Sequence, residues 1–177
     1  RYTRGLLMER YSGCGEDEDA VSLALSAVTR MIRNYGLDAR QLGLLQTSSN
    51  SSLDRSKAMK TDLMSLLEAM GVNNVEGVDT IDSGARSLLN LTSWASGRAW
   101  DGRWAIGVCV DTAEAPVGAA VPAAAGAVAL LVGPGAPLQV QTQASWNPPQ
   151  AGRHCLLKPV GWWAMAPLGQ SPDLVSA

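Results

Sequence analysis

The chain has 177 residues and a mass of 18.6 kDa, enough for one domain with a sizeable core. With 46% hydrophobic residues it is no disordered chain, and with a formal net charge of −2 it has no positive field to recruit nucleic acid. Aromatics are only 5%, with no Phe, so the core is built from Leu, Val, Ala and Met. Cys14, Cys109 and Cys155 are too few and too scattered for a disulfide framework or a zinc site. No metal and no cofactor is expected, and a reducing compartment is the default. The chain starts at Arg1 without the layout of a signal peptide, as expected of a processed protein or of part of a longer product.

Residues 1–114 hold 27 of the 30 charged side chains; Arg153, Lys158 and Asp173 are the rest. The uncharged stretch Val117–Gly133 is rich in Ala and Gly, contains Pro122 and has no basic flank. Buried strands and small-residue loops are therefore expected there, not a membrane span.

In chain order, Glu16-Asp17-Glu18-Asp19 opens a helix, the acids suiting the positive end of its dipole. Val21, Ala24, Leu25, Val28, Met31, Ile32 and Tyr35 follow at helical spacing, and Gly36 stops it. Val21, Leu25, Val28 and Ile32 are expected to face a sheet containing Ile106, Val108 and Val110. Leu42–Thr47 reads as a strand and Ser48–Ser52 as a polar loop. A second helix begins near Asp54 or Ser56, turns Met59, Leu63, Leu66, Leu67 and Met70 inward and ends at Gly71. Val75–Val78 is a strand, Ala85–Ala95 a third helix closed by Gly97, and Trp104–Val110 a strand ending at Asp111. Gly126–Val132 is another strand, closed by Gly133-Pro134, with Leu138–Thr142 as its hairpin partner. The order α-β-α-β-α-β-β-β implies a mostly parallel sheet flanked by helices, with a late antiparallel hairpin. The tail after Ser145 contains five prolines and reads as loop.

Few residues carry visible chemistry. No Gly-rich loop fits a phosphate cradle. His154 and Cys155 are adjacent, so in an extended segment they point to opposite faces and cannot easily share a proton. Cys14 precedes a helix N-terminus, which lowers a thiol pKa, but four acids nearby raise it.

Several ordered blocks nevertheless carry a resemblance. Arg1-Tyr2-Thr3 with Gly5-Leu6 looks like K-Y-T-x-G-L, and Cys14 with Glu18-Asp19 looks like F-C-x-D-x-E-D. Asp54-Arg55-Ser56-Lys57, then Lys60-Thr61 and Leu63-Met64, is similar to D-K-S-K-x-x-K-T-x-L-M. Glu76–Thr80 is similar to E-G-I-D-T, Trp100–Arg103 to W-D-G-R, and Gly126–Pro134 with Ala136–Leu138 to G-A-V-A-L-L-I-G-P-x-A-P-L. Lys158-Pro159 echoes Y-K-P. The chain thus resembles the N-terminal half of the 3-hydroxy-3-methylglutaryl-CoA synthase family, in the thiolase-like superfamily.

The resemblance implies a thiolase-like half domain over residues 1–144 and an extended tail over 145–177. It also implies the family's condensation of acetyl-CoA with acetoacetyl-CoA, through a cysteine nucleophile and a glutamate acid/base. The family's glutamate, in G-T-E-T ahead of D-K-S-K, is replaced by Asn50. Its cysteine, in T-N-A-C-Y-G-G-T-A, is replaced by Gly84, and the following helix lacks three residues, most of a turn of about 3.6. Ser83, one place earlier, has no histidine base in view. The loop P-T-G-G-x-G-A-V has become Pro122–Val128, one residue shorter, and the family's histidine belongs to a second half that this chain does not contain.

No catalytic residue is therefore expected. The reading that follows is an inactive synthase relative, a structural or interaction subunit of a larger protein assembly. The alternative is a synthase fragment completed by another chain. Expected partners are other protein subunits or a homodimer mate, with Trp146, Trp162 and Trp163 of the tail lying across them. Neither nucleic acid nor a membrane span is expected, although association with a membrane complex is compatible. The mitochondrion or another organelle is favoured over the cytoplasm.

Overall fold

In the computed structural model, which describes residues 10, 12–52, 54, 56–81, 84–112 and 124–141, helix α1 spans Ala20–Tyr35. Asp19 caps it: its Oδ1 accepts from the Ser22 amide at 2.7 Å, while Ser22 Oγ accepts from the Asp19 amide at 2.9 Å. Gly36 ends it at φ 58°, where a side chain would be strained. The acidic run lies ahead of the helix and not in its first turn; only Asp19 caps, and Glu18 closes back on the Gly15 amide.

The buried stripe of α1 is Ala20, Ala24, Val28, Met31 and Ile32. Of the expected face, Ala24, Val28, Met31 and Ile32 are buried, Val21 and Leu25 are half-buried against the same cluster, and Tyr35 is 70% exposed. Packing distance is the reason: the alanines let the helix backbone lie close to the sheet, and the larger side chains take the flanks.

A short 3₁₀ turn, Ala39–Gln41, leads into β1, Leu42–Ser48, whose seven residues are all buried. Helix α2, Met59–Ala69, begins later than expected, because Asp54 Oδ1 accepts from the amide and the hydroxyl of Ser56. That Asx turn competes with a helix start. Met70, expected inward, is exposed, and Gly71 at φ 80° follows the helix end. β2 is Glu76–Thr80, α3 is Gly84–Ala95, β3 is Trp104–Thr112 and β4 is Ala125–Val132.

The strand order is β2-β1-β3-β4, with β1 parallel to both β2 and β3 and β4 antiparallel to β3. The antiparallel partner of β4 is thus β3, not Leu138–Thr142: residues 138–141 form no strand, and Thr142 lies outside the described residues. The β1-to-β2 crossover runs one way along the sheet and the β2-to-β3 crossover runs back across β1. Right-handed crossovers then put α2 and α3 on opposite faces. Helices α1 and α2 cover Leu45, Ile106, Val108 and Val110, while α3 covers Leu44 and Ala105. The approach of α3 is close: a Cβ on Gly107 would lie 2.4 Å from Leu91 Cδ1. Among the described residues no helix is long and apolar enough to cross a membrane. Residues 113–123 and 142–177, which include His154, Cys155 and the tail tryptophans, lie outside the described part.

At the amino end of the sheet Arg103 joins three segments. It donates to Asp101 Oδ2 at 2.7 Å, to the Leu42 carbonyl at 3.0 Å, and to the Asn74 carbonyl. Arg103→Ala is expected to lower stability by about 1–3 kcal/mol, measured as a thermal-unfolding shift. The hydrogen bond from Arg103 holds the Asp101 carboxyl below its ordinary value. The contribution of the pair is therefore complete above that ordinary value and fades as pH falls through the lowered one.

Candidate active site

The carboxyl ends of β1, β2 and β3 converge on one rim of the sheet, where ligands of open α/β folds ordinarily bind. Beyond β1 the chain enters the serine-rich loop, which is fastened to both neighbours of β1. The Ser49 amide donates to the Thr80 carbonyl at 3.2 Å, beside β2. On the other side Asp111 Oδ1 accepts from the Asn50 amide at 2.8 Å and from Ser51 Oγ at 3.1 Å. Ser51 Oγ in turn accepts from the Thr112 amide at 2.7 Å. The open cleft beside this loop, about 720 Å³, is lined by residues including Ser49, Asn50, Lys57, Asp79 and Thr80.

The charged groups in this cleft already have partners. Asp79 accepts from Thr47 Oγ1 and from the Lys60 amide in the first turn of α2, whose own N-cap residue, Ala58, makes no side-chain cap. Asp79 therefore caps the neighbouring helix. Lys57 pairs with Asp62. Beneath the rim, buried Gln46 donates to Ser87 Oγ on α3 at 3.1 Å.

Gly84 opens α3 against β3. A Cβ built on it would lie 3.2 Å from Cys109 Sγ and 3.7 Å from Cys109 Cβ, so the thiol borders the space a side chain at position 84 would fill. Burial pushes the Cys109 thiol up; the hydrogen bond with Ser87 works against that, and the charge of Asp111 adds to it. A thiol raised in this way stays protonated near neutral pH and is a poor nucleophile.

Asn50 and Gly84, singled out in the sequence, thus sit at the carboxyl ends of adjacent parts of one sheet. Cys14 is half-buried ahead of α1 and does not line the cleft. Ser83 lies outside the described residues. Sequence reasoning missed that Asp111 and Cys109 belong beside these positions; an acid directly after the apolar run of β3 was the available signal. Among the described residues no cluster of three metal-ligating side chains exists.

Three parallel strands in the order β2-β1-β3, an antiparallel β4 and a cleft at their carboxyl rim define a thiolase-like α/β domain. The hydroxymethylglutaryl-coenzyme A synthase N-terminal family matches residues 1–137, and the chain belongs to that family. It is 43% identical over 145 residues to a hydroxymethylglutaryl-CoA synthase of Zymoseptoria tritici, covering 80% of this chain and 32% of that protein. It is 41% identical over 145 residues to the mitochondrial hydroxymethylglutaryl-CoA synthase of Homo sapiens, covering 80% of this chain and 28% of that one. Among solved structures it is similar to MvaS in complex with 3-hydroxy-3-methylglutaryl coenzyme A, with a TM-score of 0.66, 28% identity, and coverage of 75% of this chain and 32% of that one. The chain therefore spans about a third of the length of the relatives it matches.

Proposed function

We propose that this chain is a catalytically inactive hydroxymethylglutaryl-CoA synthase-like protein serving as a structural or interaction subunit of a larger protein assembly. The observation that carries the reading is the pair Asn50 and Gly84. The resemblance puts the family's acid/base at the first and its nucleophile at the second. An amide exchanges no proton near neutral pH and glycine has no side chain, whereas the condensation needs both a titrating carboxyl and a thiolate. The neighbours offer no ready substitute: Asp111 and Asp79 are taken up by hydrogen bonds that hold the rim together, and Cys109 is held as the thiol. The rim is meanwhile held by hydrogen bonds from the serine-rich loop to the strands on either side of β1, which suits a structural role. A mitochondrial location accords with the mitochondrial relatives.

Incubating the chain with labelled acetyl-CoA is expected to give no stable thioester by intact mass. A label on Cys14, Cys109 or Cys155 that is chased by acetoacetyl-CoA would overturn the reading. The coverage of about a third of each relative favours one alternative, a synthase fragment completed by another chain. The same assay on the assembly purified from its source separates the two readings: turnover that requires this chain supports the alternative.

A further inference from the structure

The serine-rich loop holds a side chain that the backbone itself can attack. Asparagine loses its side-chain amide when the backbone nitrogen of the next residue attacks Cγ, so the residue that follows decides which asparagine reacts. Of the six asparagines, Asn34, Asn73, Asn74 and Asn90 precede Tyr, Asn, Val and Leu, whose side chains crowd the attack. Asn147 precedes Pro148, which has no N–H to give up. Only Asn50 precedes a small residue, Ser51. The fold widens the contrast. Asn34 and Asn90 lie inside α1 and α3, where the following amide is held in the helix ladder. Asn50 lies outside every helix and strand, half-buried, and lines the open cleft, so water reaches it. The attacking nitrogen, that of the Ser51 amide, donates to Ser49 Oγ at 3.2 Å, a long bond within its own loop.

We propose that Asn50 is a site of spontaneous deamidation, which installs a carboxylate on the rim and releases the loop from β3. The Ser51 nitrogen gives its proton to solvent base and attacks Asn50 Cγ. The bond from nitrogen to Cγ forms, the bond from Cγ to the side-chain nitrogen breaks, and ammonia leaves, closing a succinimide ring. Water then opens the ring at either carbonyl. Breaking the new bond to Cγ gives aspartate. Breaking the original peptide bond gives isoaspartate, whose chain runs through Cβ and Cγ. The balance is one water consumed and one ammonia released, with no redox step. Both products place a negative charge close to Asp111, whose Oδ1 accepts from the residue-50 amide at 2.8 Å and from Ser51 Oγ at 3.1 Å. Asp54 and Asp79 line the same cleft, and its Lys57 is already paired with Asp62, so the new charge meets repulsion. Isoaspartate does more. Its extra backbone atom displaces Ser51, whose Oγ then cannot keep both Asp111 and the Thr112 amide. A carboxyl at position 50 restores no condensation, because position 84 is still glycine. This inference does not depend on the reading of the cleft, and its failure would leave that reading standing.

Ageing the full chain in mildly alkaline buffer made with heavy-oxygen water, followed by peptide mapping, tests the proposal. The peptide holding Asn50 is expected to convert faster than those holding the other asparagines, into aspartate and isoaspartate forms that each carry the heavy oxygen. Hydrogen exchange should show the Thr112 amide exchanging faster in aged than in fresh chain, in step with the isoaspartate fraction. Asn50→Gln, whose longer side chain closes the ring poorly, should keep both its mass and its Thr112 protection on ageing. If that variant does not fold, the wild-type map and exchange decide alone. An unconverted Asn50, or conversion led by Asn73 or Asn74, overturns the proposal. So does an aged chain rich in isoaspartate whose Thr112 amide stays protected.

Discussion

Leu63→Ala is expected to destabilise the domain by about 3–5 kcal/mol, read as the shift of a urea-unfolding midpoint at constant slope. Leu63 lies on α2 with no exposed surface, inside the cluster that joins Val28 and Ile32 of α1 to Leu45, Ile106 and Val108 of the sheet. Truncation removes apolar burial and leaves a cavity walled by regular elements that cannot readily collapse. Domains of this kind are stable by about 5–15 kcal/mol, so the loss takes a large share of the total. Leu25→Ala on α1 should cost about 1 kcal/mol, because that side chain is half-buried on the flank. Equal losses at the two sites would show that α1 presents a different face to the sheet.

Gly84→Cys is expected to yield a disulfide with Cys109 and not a restored nucleophile. The Cβ positions would stand 3.7 Å apart. Disulfides form at Cβ separations of about 3.5–4.5 Å. After aerobic purification the unfolded variant should titrate one fewer free thiol than the wild type, despite carrying one more cysteine. Closing that loop should raise stability by about 2–4 kcal/mol, an increment lost on adding reductant. With reductant present, even the Asn50→Glu, Gly84→Cys double variant should accept little acetyl label, because the α3 terminus that presents position 84 follows from a helix three residues short of the family pattern. A free, rapidly acetylated thiol at position 84 would show the rim to be intact chemical machinery that lacks only two side chains.

Much of the frame was legible in the chain itself. Gly36 and Gly71 mark helix ends because only glycine takes a positive φ cheaply, and the apolar runs of β1 and β3 were long enough to read. What escaped was decided at a distance. Helical spacing placed Val21 and Leu25 inward beside Ala24 and Val28, but the seating of α1 on the sheet leaves them half-buried and buries Ala20 instead. The partner of β4 was misread because an apolar strand carries no local mark of which neighbour it joins. At the rim, ordered motifs located positions 50 and 84. Asp111 and Cys109 join them only through the pairing of β1 with β3, which spans much of the chain.

The central place of β1 has a consequence for synthesis. Leu45 pairs with Gly77 on one side and Ile106 on the other, so β1 gains its second neighbour only once β3 has been translated. Chains grow at about 5–20 residues per second, far slower than local helix formation. For seconds, then, α1 can form while Leu42, Leu44 and Leu45 wait uncovered, a ribosome-bound segment of the kind that chaperones engage and that aggregates when they do not. Yield in cells should accordingly depend more on the pace of translation and on chaperone supply than on the strength of the finished core.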